Sequence, residues 1–177
     1  MTGVLHTARL ELMPMTLAIV EAVLLGRREA AESLATARMP ERWPNRELIE
    51  RAFAVSLEGI RANPAARLWG ARVMIWKRAG AERRVVGSVV FRGEPETGTS
   101  EIAYGVEEAS QGQGIATEAV GACIAWALDQ PGVATVQAVT FAWHRASVRV
   151  LEKVGMVQAG VREHDLLGEM LVFERRK

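Results

Sequence analysis

The chain has 177 residues, of which 49% are hydrophobic and 24% are charged, a composition that suits a globular protein with one core. Its 22 Lys and Arg residues nearly balance its 21 Asp and Glu residues, so the net charge of +1 favours neither nucleic acid nor an anionic membrane as a partner. The single cysteine excludes an internal disulfide and argues against a zinc cluster. We therefore expect one domain over residues 1–177, a reducing cytoplasmic setting, no metal site, no nucleic-acid partner and no membrane partner.

The first half of the chain predicts a strand, a set of helices and a hairpin. Apolar and charged residues alternate in "ARLELMPM", which predicts a half-buried strand stopped by Pro14. Thr16 can cap the next helix, and a charged helical pattern continues over residues 27–63 with a turn at "RMPERWPN". The segments "RLWGARVMIW" and "RRVVGSVVFR" are rich in β-branched and aromatic residues and flank "KRAGAE", which predicts a hairpin.

The second half predicts alternating strands and helices. After the turn-like "GEPETGTS", the segment "EIAYGVE" reads as a strand, and a helix runs from near Ile115 to just before Pro131. A further strand, "VATVQAVTF", leads into a short helix, "ASVRVLEKVG", which Gly155 closes. The segments "MVQAGV" and "MLVFER" then predict the final strands.

The decapeptide "EASQGQGIAT", residues 108–117, lies between a predicted strand and the long helix. Glycines let a backbone approach a ligand closely, and a helix N-terminus offers unpaired N–H groups, so this order favours a bound phosphate ester. A nucleoside triphosphate loop is excluded because no lysine lies between Lys77 and Lys153. A dinucleotide fingerprint fits poorly because Thr117 stands where its third glycine belongs. A loop that merely turns a strand into a helix is the plain alternative.

The hexapeptide "QGQGIA" resembles the Gln/Arg-x-x-Gly-x-Gly/Ala motif with which the GNAT superfamily of acetyltransferases binds the pyrophosphate of acetyl-coenzyme A (acetyl-CoA). "EIAYGVEE" and "ASVRVLEKVGM" resemble the family's fourth strand and its Leu-Glu-Lys-x-Gly-Phe segment, and "ARLELMPMT" resembles the opening strand of the branch with the ribosomal-protein N-terminal (alanine/serine) acetyltransferases. The resemblance implies a GNAT fold of the α/β (α+β) class, with a mixed, mostly antiparallel sheet of about six to seven strands flanked by helices. It also implies acetyl-CoA as cosubstrate and no metal.

The resemblance also assigns the coenzyme-binding residues. Pantetheine is expected to lie between the diverging fourth and fifth strands, against the backbone of Gly105 and Val106. A strand glycine is costly unless a ligand, a bulge or a packing kink requires it, so Gly105 is consistent with a ligand contact. His144 stands where the family usually has a coenzyme-binding Asn, and Ser147 is expected near the sulfur. The pyrophosphate loop comprises Gln111, Gly112, Gln113, Gly114, Ile115, Ala116 and Thr117.

For the chemistry, an amine must lose a proton and a thiolate must be stabilised as it departs. Glu101 matches the family's frequent catalytic glutamate. A carboxylate whose pKa is raised by partial burial can accept a proton near neutral pH. Glu163 and Asp165 are reserve candidates. Many relatives use a tyrosine after the fifth strand as the acid, but the one tyrosine here, Tyr104, lies elsewhere. Ser147 is the expected acid on the resemblance to the ribosomal-protein branch, although a serine in a first helical turn often acts as a cap.

The acceptor is implied to be a primary amine. A protein or peptide N-terminus is preferred on the branch resemblance, with a small-molecule amine (an antibiotic or an amino acid) or a non-catalytic acetyl-CoA-binding module as alternatives. In this family residues 27–63 would form the lid of the acceptor cleft, and Trp43, Trp69 or Trp143 are candidates to line it. Both a monomer and a homodimer are consistent with the sequence.

Overall fold

Eight strands form one continuous sheet in the computed structural model, counted over the residues it describes: 3–77, 80, 82–93, 95, 97–166 and 168–177. The strands are β1 (Leu5–His6), β2 (Leu10–Pro14), β3 (Ala71–Trp76), β4 (Arg84–Phe91), β5 (Thr99–Val106), β6 (Thr135–Phe141), β7 (Val157–His164) and β8 (Gly168–Arg176). Their order across the sheet is β1-β2-β3-β4-β5-β6-β8-β7. Neighbouring strands are antiparallel apart from β5 and β6, which are parallel.

Helices cover both faces of this sheet. They are α1 (Leu17–Leu24), α2 (Arg28–Ala35), α3 (Arg46–Leu48), α4 (Ala54–Ala62), α5 (Ile115–Asp129) and α6 (Arg145–Lys153). A π-helical segment, Ile49–Phe53, joins α3 to α4, and short 3₁₀ turns occupy Pro64–Trp69 and Glu108–Ser110. Across the described residues, no helix combines the length and the apolarity that a bilayer crossing needs.

Side chains alternate across the sheet and so build a core on each face. On β3, Met74 packs into the core that contains α5, whereas Val73 and Ile75 pack into the core that contains α1 and Phe53. On β5, Ile102 belongs to the core on the α5 side. Because side chains alternate, Glu101, Ala103 and Gly105 of β5 face the opposite side of the sheet, where α4 lies.

The expected mixed, mostly antiparallel sheet flanked by helices is confirmed, with eight strands instead of six or seven. The additional strand is β1, whose two residues are too few to show an alternating pattern. Thr16 caps α1 as expected, since its side chain accepts a hydrogen bond from Ile19 N. The expectation that "RLW" opens a strand is wrong, because Pro64 and the capping side chain of Asn63 set up a 3₁₀ turn there.

Two of the expected connections lie partly outside the described residues. Arg78, Ala79 and Ala81 belong to "KRAGAE", and Glu94 and Glu96 belong to "GEPETGTS". The strands on either side are antiparallel neighbours in both cases, as a hairpin connection requires.

The two parallel strands separate partway along their length. Strand β5 pairs with β6 only from Thr99 to Glu101. Beyond that point β5 continues against β4 as far as Val106, while β6 continues against β8 as far as Phe141. A gap therefore opens between β5 and β6 towards their carboxyl ends, which is the expected divergence.

Candidate active site

The loop between β5 and α5 leads into a helix whose first backbone N–H groups are not capped by a side chain. Gly112 and Gly114 have φ angles of 73° and 77°, in the left-handed region that glycine adopts without steric cost. Gly114 is the N-cap residue of α5, and no side chain caps the helix there. The first N–H groups of a helix have no acceptor within it and lie at the positive end of its dipole. This end of α5 is therefore suited to a phosphate group.

The two glutamines of the loop hold its shape. Gln111 Nε2 donates to the carbonyl of Val106 at 2.9 Å, and Gln113 Nε2 donates to the carbonyl of Ala109 at 3.4 Å. Both residues are exposed, as are the two glycines. Their side chains thus brace the loop backbone and leave its surface open.

Arg9 and Thr7, from the segment between β1 and β2, hydrogen-bond to an acidic residue of the first turn of α5, and the Arg9 guanidinium balances its charge. Glu118 accepts hydrogen bonds from Thr7 Oγ1 at 2.6 Å, from Arg9 N at 2.8 Å and from Arg9 Nε at 2.7 Å. Burial acts to raise the pKa of Glu118, but these hydrogen bonds and the Arg9 charge outweigh it, so the pKa is lowered. Arg9 also donates to the carbonyl of Gln113 at 2.9 Å. Sequence reasoning missed this contact, since about a hundred positions separate the partners.

The gap between β5 and β6 brings Tyr104 to Ser147. Tyr104 Oη lies 2.9 Å from Ser147 Oγ and donates to the Ser147 carbonyl oxygen at 3.2 Å. Burial raises the pKa of Tyr104, and the hydrogen bond with Ser147 opposes that rise only in part. The phenol therefore keeps its proton at neutral pH. Tyr104, which does not match the family's acid tyrosine, thus contacts Ser147, the expected acid.

His144 caps α6, and Ser147 does not. The Nδ1 atom of His144 accepts the Ser147 N–H at 3.2 Å, which makes His144 the N-cap residue. Ser147 lies three residues further on, so its hydroxyl is used in the contact with Tyr104 instead. With Nδ1 accepting, the neutral imidazole carries its proton on Nε2, which the cap leaves available as a donor.

A large cleft lies on the other side of β5, beneath α4. It has a volume of about 1540 Å³. Its floor is formed by residues with small or no side chains on β4 and β5, Gly87, Ser88, Ala103 and Gly105, and Val55 and Ser56 of α4 lie along its wall. A Cβ on Gly87 would overlap the Gly105 carbonyl oxygen, whereas a Cβ on Gly105 would meet no atom within 4 Å. Packing therefore requires glycine at position 87, and Gly105 faces open space.

Gly105 is not the site of a bulge. The pairing of β4 with β5 runs without interruption from Phe91 opposite Ile102 to Gly87 opposite Val106. Register shifts lie instead between β3 and β4, beside Met74, and between β7 and β8, beside Gln158.

Two of the three candidate tryptophans line the cleft. Trp43 and Trp69 are both part of its wall, together with α4 and the segment that leads to it. Trp143 is not: it is 64% exposed and stacks on Phe141 at the end of β6, with ring centroids 5.2 Å apart. Of residues 27–63, the expected lid, the part from Pro40 onward contributes to the lining of this cleft, and α2 does not.

Glu101 lies at the point where β5 and β6 separate and is held by an ion pair. Its carboxylate is 2.9 Å from Arg92 Nε, and its side chain is 28% exposed. Arg92 lines the cleft, whereas Glu101 does not. The expected base thus lies next to the cleft, with one carboxylate oxygen paired to the Arg92 guanidinium.

Glu107 is a carboxylate of the cleft that sequence reasoning missed. It follows directly after β5, lines the cleft and lies 2.7 Å from an Arg84 guanidinium nitrogen. Ser110 Oγ also donates to it at 2.6 Å. Because its oxygens are already engaged, Glu107 is better suited to fixing the loop after β5 than to accepting a proton.

The reserve candidates are not brought to this site. Glu163, at the end of β7, and Asp165, just after it, are exposed and do not line the cleft. His164 between them packs its ring edge against Phe141, with centroids 6.1 Å apart. Within the described part of the chain, no group of three or more His, Cys, Asp or Glu residues is placed to hold a metal ion.

Comparisons with known proteins agree with this geometry. The model of the acetyltransferase (GNAT) domain family matches residues 9–157. A putative GNAT-family acetyltransferase from Bordetella pertussis has a similar structure, with a TM-score of 0.66, 24% identity, and coverage of 97% of this chain and 98% of that one. No curated protein matches the sequence at a significant level.

Two further solved structures carry more specific names. The ribosomal-protein-S5-alanine acetyltransferase from Vibrio fischeri gives a TM-score of 0.66 at 16% identity, covering 98% of this chain and 96% of that one. The microcin C7 self-immunity acetyltransferase MccE, solved with acetyl-CoA and AMP, gives a TM-score of 0.63 at 16% identity, covering 97% of this chain and 94% of that one. At these identities the structural likeness shows the fold. Because the family match spans most of the sequence, the chain belongs to the GNAT acetyltransferase family and is an acetyl-CoA-dependent N-acetyltransferase.

Proposed function

We propose that this enzyme acetylates the N-terminal amine of a protein or peptide. The observation that carries the proposal is the cleft of about 1540 Å³ beneath α4, which is open along β4 and β5 and has a floor of small residues. Pockets that bind small molecules usually have volumes of about 300–1,000 Å³. Gly105 and Val106 line this cleft and also form the proposed pantetheine contact, so its volume would hold the acyl end of the coenzyme together with an extended peptide whose first residue reaches the gap between β5 and β6. The fold likeness to a ribosomal-protein alanine acetyltransferase supports the same acceptor class.

The proposed coenzyme site follows the strand gap and the glycine loop. The pyrophosphate would bind the backbone N–H groups of the loop residues, Gln111, Gly112, Gln113, Gly114, Ile115, Ala116 and Thr117, at the start of α5. Pantetheine would extend into the gap along the backbone of Gly105 and Val106. His144 would donate from Nε2 to a coenzyme carbonyl or phosphate, since its Nδ1 is engaged in the cap.

In the proposed reaction, Glu101 takes a proton from the acceptor ammonium, directly or through a water, once Arg92 moves aside. The neutral amine then attacks the thioester carbonyl, and the backbone N–H groups of β5 stabilise the oxyanion that forms. As the tetrahedral intermediate collapses, the nitrogen, which became positively charged on attack, gives up a second proton to water and the C–S bond breaks. Its electron pair stays on sulfur, and Ser147 Oγ–H donates to the thiolate until it takes a proton from solvent. The single domain over residues 1–177 would contain all of these groups.

An acceptor panel tests the proposal. Peptides of six residues with free alanine or serine N-termini, the same peptides with blocked N-termini and one internal lysine, and small amines including aminoglycosides and amino acids would be compared by kcat/KM. We expect the free N-terminal peptides to be the best acceptors, and mass spectrometry to place the acetyl group on the α-amine. A higher kcat/KM for the small amines would contradict the peptide assignment in favour of a small-molecule acceptor. If no acceptor in the panel causes release of free coenzyme A thiol, the non-catalytic acetyl-CoA-binding module is favoured.

A further inference from the structure

Tyr104 connects the two sides of the strand gap through one residue of α6. Its Oη lies within hydrogen-bond distance of two acceptors on Ser147, the hydroxyl at 2.9 Å and the backbone carbonyl at 3.2 Å. A phenol has one proton and can donate to only one of them at a time. The pair therefore has two hydrogen-bond arrangements with the same positions of the heavy atoms.

The two arrangements leave the serine proton in different places. When Tyr104 donates to the carbonyl oxygen, the Ser147 hydroxyl donates to Tyr104 Oη and is occupied. When Tyr104 donates to Ser147 Oγ instead, the serine proton is available to another acceptor. Going from one to the other requires only rotation of two O–H bonds. A negative charge appearing in the gap would favour the second arrangement, and hydrogen bonds in a chain strengthen one another.

We propose that Tyr104 is a positioning residue for departure of the coenzyme A thiolate, donating to Ser147 Oγ while Ser147 donates to the sulfur. The inference rests on the proposed role of Ser147. No proton leaves Tyr104 or Ser147 in this step: the C–S bond breaks, its electron pair stays on sulfur, and the thiolate later takes a proton from water. Burial, which raises the pKa of Tyr104, keeps the phenol in the protonated form that can donate.

The location of Tyr104 supports this role. It is half-buried on β5, packs against the core on the α5 side and also borders the acceptor cleft. A purely structural hydrogen bond would tie β5 to α6 and add to stability without affecting the chemical step. The two roles differ in what the loss of the phenol oxygen changes, and that difference can be measured.

The first test is a double-mutant cycle with Tyr104→Phe and Ser147→Ala, assayed with whichever acceptor turns over fastest. One hydrogen bond that forms in the transition state is worth about 1–1.5 kcal/mol, so Tyr104→Phe should lower kcat about tenfold and leave KM for acetyl-CoA within about twofold. In the Ser147→Ala background the same change should have no further effect. Thr16→Ala, which removes the cap of α1 far from the gap, controls for loss of stability.

The second test uses the fact that the chain has one tyrosine. Growth on 3-fluorotyrosine changes only Tyr104, keeps its shape and makes the phenol a stronger donor. At a pH where the fluorinated phenol is still protonated, we expect kcat at or above the wild-type value. A fluorinated enzyme as slow as Tyr104→Phe would overturn the inference, and this test does not depend on the folding of the phenylalanine variant.

The outcomes separate this inference from the proposed function. If Ser147→Ala is slow and Tyr104→Phe is as fast as the wild type, the role of Tyr104 is contradicted while that of Ser147 stands. If the two losses multiply instead of merging, Tyr104 acts independently of Ser147 and the inference is wrong. If Ser147→Ala itself is as fast as the wild type, the proposed role of Ser147 fails, and the inference that rests on it fails with it.

Discussion

At the scale of single residues, the proposed base is engaged in an ion pair. Glu101 and Arg92 are joined at 2.9 Å where β5 leaves β6, with Arg92 on the cleft side. A bound acceptor that attracts the guanidinium, for example through a peptide carbonyl, would release the carboxylate in the same event. Binding and proton acceptance would then be coupled.

Replacing Glu101 by glutamine tests this residue. The amide keeps the shape but cannot accept a proton, so kcat should fall by about 10² to 10⁴ while calorimetry shows unchanged affinity for acetyl-CoA. Glu163→Gln is the matched control, because it changes an exposed carboxylate that does not line the cleft. Wild-type turnover in Glu101→Gln would remove the base assignment and direct attention to Glu107 or to solvent.

At the scale of elements, the loop and the N-terminus of α5 act as one unit. Two left-handed glycines turn the chain, and Arg9 holds the first turn of the helix from outside. Gly114 is near this contact, since a Cβ there would lie 3.5 Å from an Arg9 guanidinium nitrogen. A side chain at this position would therefore disturb both the loop and its support.

Gly114→Val should weaken acetyl-CoA binding at least about tenfold, or about 1.4 kcal/mol. Gly26→Val is a matched control, because Gly26 has a φ of 67°, also left-handed, and no atom would lie within 4 Å of its Cβ. Both variants should lose stability from backbone strain, whereas only Gly114→Val should lose affinity. Equal affinities in calorimetric titrations of the two folded variants would contradict the assignment of the loop.

Arg9→Ala should weaken acetyl-CoA binding by exposing the coenzyme phosphates to the Glu118 charge. Charges at a helix end are worth about 0.3–1 kcal/mol and are screened by salt, so the loss should be about two- to fivefold and smaller at high salt. Glu118→Gln in the same background should restore the affinity. A loss that is independent of salt, or one that the second change does not restore, would mean that Arg9 acts on the shape of the loop and not through charge.

The Arg9 and Glu118 clamp also has a defined pH range. The folded pKa of Glu118 is lowered, so the clamp stabilises the fold above the unfolded value of about 4.3 and this contribution is lost as the pH falls through the lower folded value. Wild-type stability should therefore decrease more steeply on acidification than that of Glu118→Gln, measured by denaturant unfolding between neutral pH and the onset of acid unfolding. Parallel curves would contradict the clamp.

Sequence reasoning worked where chemistry depends on local order and failed where distant segments meet. The glycines and the N-terminus of α5 follow from a strand, a loop and a helix that are adjacent in sequence, whereas the split of β5 from β6 is implied by the family resemblance. The contacts of Arg9 with Glu118 and of Tyr104 with Ser147 join residues far apart in sequence and leave no periodic signal. The sequence indicates a capping role for Ser147 because its position near a helix start is visible in sequence, whereas the capping role of His144 depends on a ring nitrogen facing back toward the helix.

At the scale of the whole molecule, the core on the α5 side includes two ionisable residues with little access to solvent, Arg72 and Cys123. Arg72 is fully buried, and its guanidinium carbon lies 4.3 Å from the centre of the Trp126 ring. Burial lowers the pKa of Arg72 to about 10. Burial also raises the pKa of the Cys123 thiol to about 12, and the Arg72 charge opposes that rise. The fold therefore keeps this thiol protonated.

The buried thiol predicts a loss of stability in alkali. An unfolded thiol ionises near pH 8.5, so the contribution of Cys123 is complete below that pH and is lost as the pH rises towards about 12, by up to about 1.4 kcal/mol per unit. Denaturant unfolding at pH 8 and pH 10 should show a larger decrease for the wild type than for Cys123→Ala. Equal decreases would contradict burial of the thiol.

The central claim is that acetyl-CoA occupies the gap between β5 and β6 with its pyrophosphate on the glycine loop, so that the thioester meets the acceptor cleft. A crystal structure of the enzyme with acetyl-CoA measures this most directly. The account predicts phosphate oxygens within hydrogen-bond distance of the backbone N–H groups at the start of α5, pantetheine along Gly105 and Val106, and the sulfur near Ser147 Oγ. Pyrophosphate bound elsewhere, or a sulfur remote from both Ser147 and Glu101, would contradict it.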